Sequence, residues 1–272
     1  MDLARGIQPT DESTLKQAGF QVIPVAAPAL TVNLAAFRVG NDLVSDVRVR
    51  RALQLGIDRQ AVVDTVLSDS YRASDSVLGH DDPLFANVSS GLGYDPKKAA
   101  GLLDEAGWKV GADGIREKDG KKLDLTLAAS NQSVVFRPAF EFIESGWRDL
   151  GIKLVNRAGD TTLFNAANTD PAVPLLGTRT GYNIGLGLLF GRAGGNLTFT
   201  KNDELIALSN EELKTTDPAR LKDIVAKEQQ KIIDDQLALI LWDEVQVHAA
   251  APNVNIAFTN YTEPLFQSAW KA

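Results

Sequence analysis

The sequence predicts an α/β protein, and three observations carry that prediction. Leu123, Leu125 and Leu127 alternate with polar residues, an amphipathic run follows over 138–150, and Ile152–Ala158 alternates again. Strand, helix and strand with short joints form the unit that lays two strands parallel. Twice, at Asp95-Pro96 and Asp217-Pro218, an Asp-Pro pair stands just before an apolar stripe at helical spacing, the aspartate suited to the N-cap and the proline to the first helical position. The 272 residues are 44% hydrophobic and 23% charged, the profile of a soluble globular chain with enough core for one large domain or two modest ones.

Taken in order, residues 2–32 read as short strands and turns, with prolines at 9, 24 and 28 and a strand suggested by Val22, Ile23 and Val25. Ala29–Phe37 reads as a second strand. A helix is expected from Ser45 as N-cap, with Val49, Leu53 and Ile57 on one face. Asp58 looks like the cap of another, carrying Val62, Val63, Val66 and Leu67. Residues 68–93 are irregular. The helix after Asp95 buries Ala99, Leu102, Leu103 and Ala106 and stops at Gly107. Lys109–Lys122 is a charged, glycine-punctuated hairpin or loop. Phe140, Ile143, Trp147 and Leu150 line one side of the helix at 138–150. A short helix at Asp160–Asn168, a strand at Val173–Thr178 and a glycine-rich stretch at Thr180–Thr200 come next. Helices at Asp203–Leu213 and after Asp217 precede strand-like runs at Leu237–Trp242 and Val245–Ala250. The last twenty residues hold apolar side chains with little periodicity.

Composition excludes several function classes. With 28 Lys+Arg against 35 Asp+Glu the net charge is -7, which argues against a nucleic-acid partner and gives no pull toward anionic lipid. The absence of cysteine removes disulfides, thiolate nucleophiles and iron–sulfur clusters. His80 and His248 are the only histidines, too few for a multi-histidine metal site. No apolar run approaches the ~20 residues that span a bilayer. Met1–Gly6 lacks the basic and apolar regions of a signal peptide.

Individual motifs select no catalytic set. His80-Asp81-Asp82 has the residue types of a metal or acid–base cluster, yet adjacent residues spread their side chains apart. Gly185-Leu186-Gly187 opens like a dinucleotide fingerprint without its third glycine, and Gly191–Gly195 lacks the Lys-Ser/Thr of a phosphate loop. A backbone needing positive φ is the reading favoured for these glycines. No Gly-x-Ser-x-Gly occurs. No cofactor is implied.

Four blocks resemble one family in order. Asp46-Val47-Arg48-Val49-Arg50-Arg51-Ala52-Leu53 with Gly56-Ile57-Asp58-Arg59 is the first. Tyr94-Asp95-Pro96-Lys97-Lys98-Ala99 with Leu102-Leu103 and Ala106-Gly107-Trp108 is the second. Gly111-Ala112-Asp113-Gly114-Ile115-Arg116 is the third, and Asp217-Pro218-Ala219-Arg220 with Gln230–Asp235 the fourth. Together they resemble the extracytoplasmic solute-binding proteins of ABC importers, family 5, the dipeptide/oligopeptide/nickel group. The resemblance implies a periplasmic-binding-protein-like lobe (class II, extended type) with a mixed sheet flanked by helices. Residues 1–30 would be a remnant of a first lobe, 31–250 the second, ligand-binding lobe, and 251–272 a segment returning to the first, with the rest of that N-terminal lobe missing.

The function implied is capture of a peptide or small-molecule ligand between two hinged lobes and delivery to the ABC permease transmembrane subunits, without catalysis. The location implied is the periplasm or the extracellular face of the membrane, with a lipid anchor on the full-length parent. The ligand-facing segment of peptide binders matches Gly177–Asn183: Tyr182 fits the family's tyrosine, while Gly181 stands where an ammonium-holding aspartate would be. Expected ligand-binding residues are therefore Arg179 (a forked cation for a carboxylate), Thr180, Tyr182 (a stacking face), Asn183 (an amide) and Asn196, which follows Gly194-Gly195. The alternatives are a metal-assisted hydrolase on His80, Asp81 and Asp82, and a module that docks a protein partner without capturing a solute.

Overall fold

A computed structural model describes every residue except 1, 27–31, 130–134, 182–185, 192–196, 200, 260–262 and 272. In chain order the first elements are β1 (Leu3–Arg5), α1 (Pro9–Gln17), β2 (Gln21–Ala26), β3 (Val32–Phe37), α2 (Val47–Leu55) and α3 (Arg59–Val66). The middle of the chain forms α4 (Pro96–Glu105), β4 (Lys109–Val110), β5 (Arg116–Lys118), β6 (Lys121–Lys122), β7 (Asp124–Ala129), α5 (Phe136–Asp149), β8 (Lys153–Ala158), α6 (Thr161–Ala167) and β9 (Leu175–Thr180). A π-helical turn at Gly187–Gly191 leads to α7 (Asp203–Glu212), α8 (Pro218–Asp234), β10 (Ala238–Asp243), β11 (Val245–Ala250), β12 (Val254–Phe258) and β13 (Pro264–Lys271).

Five strands in the order β10-β3-β9-β7-β8 form the main sheet. β7 runs parallel to both β8 and β9, as the strand–helix–strand pattern requires, while β3 is antiparallel to β9 and β10. The sheet is therefore mixed, and helices pack on both of its faces. One face is buried under Val49, Leu53, Phe136, Phe140, Ile143 and Trp147 from α2 and α5. The other is covered by Leu186, Leu189, Phe190, Leu205, Val225, Ile232 and Ile233. Trp147 is fully buried and donates its indole N–H to Leu53 O at 3.1 Å, so its polar atom is satisfied inside an apolar layer. Gly177 lets β9 pass beneath α5, because a Cβ there would stand 2.6 Å from Phe136 Cε1.

The blocks that carry the resemblance are structural. Asp46, not Ser45, caps α2 by accepting from Arg48 N–H, and Asp58, Asp95 and Asp217 cap α3, α4 and α8 in the same way. Buried Arg50 donates to the carbonyls of Val44, Ser45, Asp235 and Gln236, clasping the C-terminus of α8. Arg59 donates to Ser74 and Leu92 O, closing the loop between α3 and α4. Arg116, also buried, reaches Leu150 O, Trp108 O and Asp104.

Beside the main sheet lies a three-stranded sheet in the order β1-β11-β2. Residues 245–250 thus pair with 3–5 and 21–26 rather than extending the five-stranded sheet. Two expectations change here. Residues 9–17 form a helix, begun by Pro9 with Asp11 and Glu12 in the first turn. Its Glu12 is buried and accepts from Ser68 Oγ (2.6 Å) and Ser70 Oγ (2.7 Å), a long-range anchor that periodicity does not reveal. The aperiodic C-terminal residues make an antiparallel pair, β12 and β13, which leaves Phe266 and Trp270 exposed.

Candidate functional site

In open α/β sheets, ligands bind beyond the carboxyl ends of the strands. Here register brings three segments to one such end: Val32 pairs with Thr180 of β9 and with Asp243 of β10. The strands run out at Thr180 and Asp243, and β3 begins beside them. At this edge the Asn33 amide donates to Glu244 Oε2 at 2.5 Å, and Arg179 approaches Glu244 Oε1 at 3.3 Å. Glu244 connects β10 to β11, so the cluster sits where the chain crosses from the five-stranded sheet to the three-stranded one. Burial pushes the Glu244 carboxyl above its ordinary value, while the Asn33 amide and the Arg179 cation pull it back down. The pair is almost wholly desolvated, with Arg179 and Glu244 side chains 15% and 9% exposed.

Thr180 is fully buried, and its hydroxyl donates to Val77 O, tying the end of β9 to the 74–78 segment. Tyr182, Asn183 and Asn196 lie outside the described residues. Of the five expected ligand-binding residues, the structure therefore brings Arg179 and Thr180 to the carboxyl edge. Sequence reasoning missed Glu244 as Arg179's partner. The available signal was an acidic pair, Asp243-Glu244, interrupting two apolar strand-like runs.

His80, Asp81 and Asp82 do not converge. The His80 ring lies between Asp243 Oδ2 (2.7 Å from Nδ1) and Asp75 Oδ2 (3.0 Å from Nε2) and stacks on Phe85. Asp81 pairs with Arg72, which also holds Asp243. Asp82 caps a turn by accepting from Leu84 N–H. These contacts pin the 72–85 loop to the end of β10, next to Glu244. Among the described residues no group of three or more His, Asp or Glu is placed to hold a metal ion, and no helix is long and apolar enough to cross a membrane.

The glycines at Gly187 and Gly191 have a different reason from the one expected. Neither has positive φ; instead a Cβ on either would stand 2.5 Å from the Ser209 hydroxyl on α7. Close approach, not backbone handedness, excludes a side chain there.

Comparison with known proteins gives this geometry a family. The model of the bacterial extracellular solute-binding proteins, family 5, middle region, matches residues 1–185. The oligopeptide-binding protein AppA of Bacillus subtilis is 33% identical over 118 residues, which are 42% of this chain and 22% of that protein. The nickel-binding periplasmic protein of Escherichia coli is 29% identical over 129 residues, 47% of this chain and 24% of that one. Two solved structures superpose over 100% of the chain at a TM-score of 0.84 and 22% identity. They are NikA from Brucella suis in complex with Fe(III)-EDTA and the B. subtilis AppA in complex with a nonapeptide. The match covers 58% and 56% of their respective lengths, so the chain spans little more than half of either. The periplasmic-binding-protein-like α/β fold expected from the sequence is the fold observed, and the chain belongs to the bacterial extracellular solute-binding proteins, family 5.

Proposed function

We propose that this chain supplies the ligand-gripping lobe of the solute-binding component of an ABC importer, which captures a peptide or another small solute and hands it to the membrane permease. The observation that carries the reading is the family match over residues 1–185. The polar edge fits it: a ligand held at Arg179 would lie against a seam where Glu244 and Asn33 join two sheets, with Tyr182, Asn183 and Asn196 proposed as its further contacts on the strength of the resemblance alone. Thr180 braces that seam from below.

In this reading the five-stranded sheet and its helices form one lobe, and the three-stranded sheet belongs to a second, larger lobe of a longer parent. The Asp243-Glu244 connection and the start of β3 are then the hinge. Work at the outer face of the membrane follows, with a lipid anchor on the parent. Grip without bond-making accords with the dispersal of His80, Asp81 and Asp82 among separate partners.

Thermal-shift screening of the full-length parent tests the proposal, using di- to nonapeptides, nickel and chelated metals. At a ligand concentration 100 times Kd, binding stabilises by about 2.7 kcal/mol, and one class is expected to raise Tm by several degrees. No shift with any solute overturns the reading. The chain alone, carrying one side of the cleft, is expected to shift little.

A further inference from the structure

The three-stranded sheet and the helix packed on it reach the main body through a side-chain contact as well as through the chain itself. α1 packs on β2, and β1 and β2 both pair with β11. Gln21 Nε2 donates to Ala251 O and Val254 O, each at 2.9 Å, so β12 starts from the same unit. From that unit Glu12 enters the turn after α3, where Ser68 Oγ donates to its Oε1 at 2.6 Å and Ser70 Oγ to its Oε2 at 2.7 Å. The turn is in turn fastened to the main sheet. Asp243 N–H donates to Arg72 O (2.9 Å), Ser74 N–H donates to Leu241 O (3.1 Å), and Ala73 bridges Trp242 antiparallel.

We propose that Glu12 and its two serines form a latch across the hinge, holding the three-stranded and five-stranded bodies at one angle and letting go when that angle changes. This rests on the two-lobe reading above. The contacts close a ring. β10 passes through Glu244 into β11 of the smaller sheet, and it also passes through residues 72–74, the serine turn and Glu12 back to the same unit. A one-residue connection bends by changing its own backbone angles, but a second tie between the same bodies must break or rearrange when they rotate. The chemistry suits a reversible tie. Glu12 is the one buried residue of α1, so polar contact rather than an apolar stripe seats this helix on the turn. Oxygen–oxygen distances of 2.6 and 2.7 Å are those of strong hydroxyl–carboxylate bonds. On release, water replaces both partners, and no apolar core is opened. A solute that favours another lobe angle therefore has to supply the free energy of unlatching, which lowers its apparent affinity.

Distance measurement by double electron–electron resonance on the full chain tests the latch without a ligand, so a failed solute screen leaves this test standing. The chain has no cysteine of its own, so introduced ones are the sole labelling sites. Glu141→Cys on α5 is paired with Asn255→Cys on β12 or with Lys16→Cys on α1, all at exposed positions. Adding Glu12→Ala is expected to raise the population outside the main distance peak ~10-fold or more, as loss of hydrogen bonds to a charged group implies, and to do so in both label pairs together. Ser68→Ala/Ser70→Ala removes the same bonds from the other side, should give the same result, and decides the matter if Glu12→Ala does not fold. Broadening confined to the Lys16 pair means that α1 merely frays, and it overturns the proposal. Distances unchanged in both pairs overturn it as well.

Discussion

Replacing Arg50 by alanine tests the claim that the arginine-rich block at 46–53 is scaffold, and that its arginines are unequal. Arg50 makes four bonds to backbone carbonyls at 2.7–2.9 Å, to Val44, Ser45, Asp235 and Gln236. The acceptors on Val44 and Gln236 belong to buried residues. A buried acceptor left without its donor costs about 1–3 kcal/mol, so two cost about 2–6. Against this, burial already disfavours the charged guanidinium, holding its pKa below the usual arginine value, and removal relieves that burden. The expected net loss is about 3 kcal/mol. Arg48 is exposed and pairs with Asp46 and the Glu105 carbonyl, and Arg51 is exposed and reaches Asp234 O. Each alanine replacement there should cost under about 1 kcal/mol. Arg50→Lys should fall between, because an ammonium cannot fork to both chain ends. Urea denaturation followed in parallel by far-ultraviolet circular dichroism and tryptophan fluorescence measures all four. A cost below about 1 kcal/mol for Arg50→Ala, or an equal cost at Arg48, would refute the reasoning.

Three further substitutions probe other parts of the argument. Gly177→Ala drives a methyl to 2.6 Å from Phe136 Cε1 and 2.7 Å from Ala129 Cβ; it should cost about 1–3 kcal/mol, seen as a lowered urea midpoint. Arg179→Ala leaves the Glu244 carboxylate in its desolvated seam without a cation, so the Arg179→Ala/Glu244→Gln double variant should be more stable than Arg179→Ala alone by about 1 kcal/mol or more in a double-mutant cycle. Buried Glu228 on α8 also predicts the pH dependence of stability. Its folded pKa lies above the unfolded value of 4.5, so the native state binds the extra proton between about pH 4.5 and pH 8, and stability falls as pH rises through that window. The Glu228 contribution to the slope should approach about 1.4 kcal/mol per pH unit, so Glu228→Gln should show a shallower fall than the unsubstituted chain, measured by denaturation at pH 5, 6.5 and 8.

Family membership and the starts of α3, α4 and α8 were legible because both are written in local sequence. Asp95-Pro96 and Asp217-Pro218 announce α4 and α8 through an aspartate that reaches three residues along its own chain. The alternations flanking α5 predicted β7 and β8 and their parallel pairing, since a strand–helix–strand crossover has few ways to close. Helix α1 escaped notice because its burial rests on Glu12 and two serines 56 and 58 residues away, not on an apolar stripe. The candidate site divides in the same way. Arg179 and Thr180 were reachable by resemblance, but Glu244, Arg179's partner, stands 65 residues downstream.

From its sequence alone this chain declares an α/β architecture, the caps Asp58, Asp95 and Asp217 and its kinship, because capping, periodicity and signature blocks act over a few residues. Tertiary structure decided which arginine of the first block is buried, why Gly187 and Gly191 carry no side chain, and that Arg179 faces a carboxylate. Each of those facts depends on segments that meet only when the sheet closes, and no local pattern records what lies on the far side of a contact.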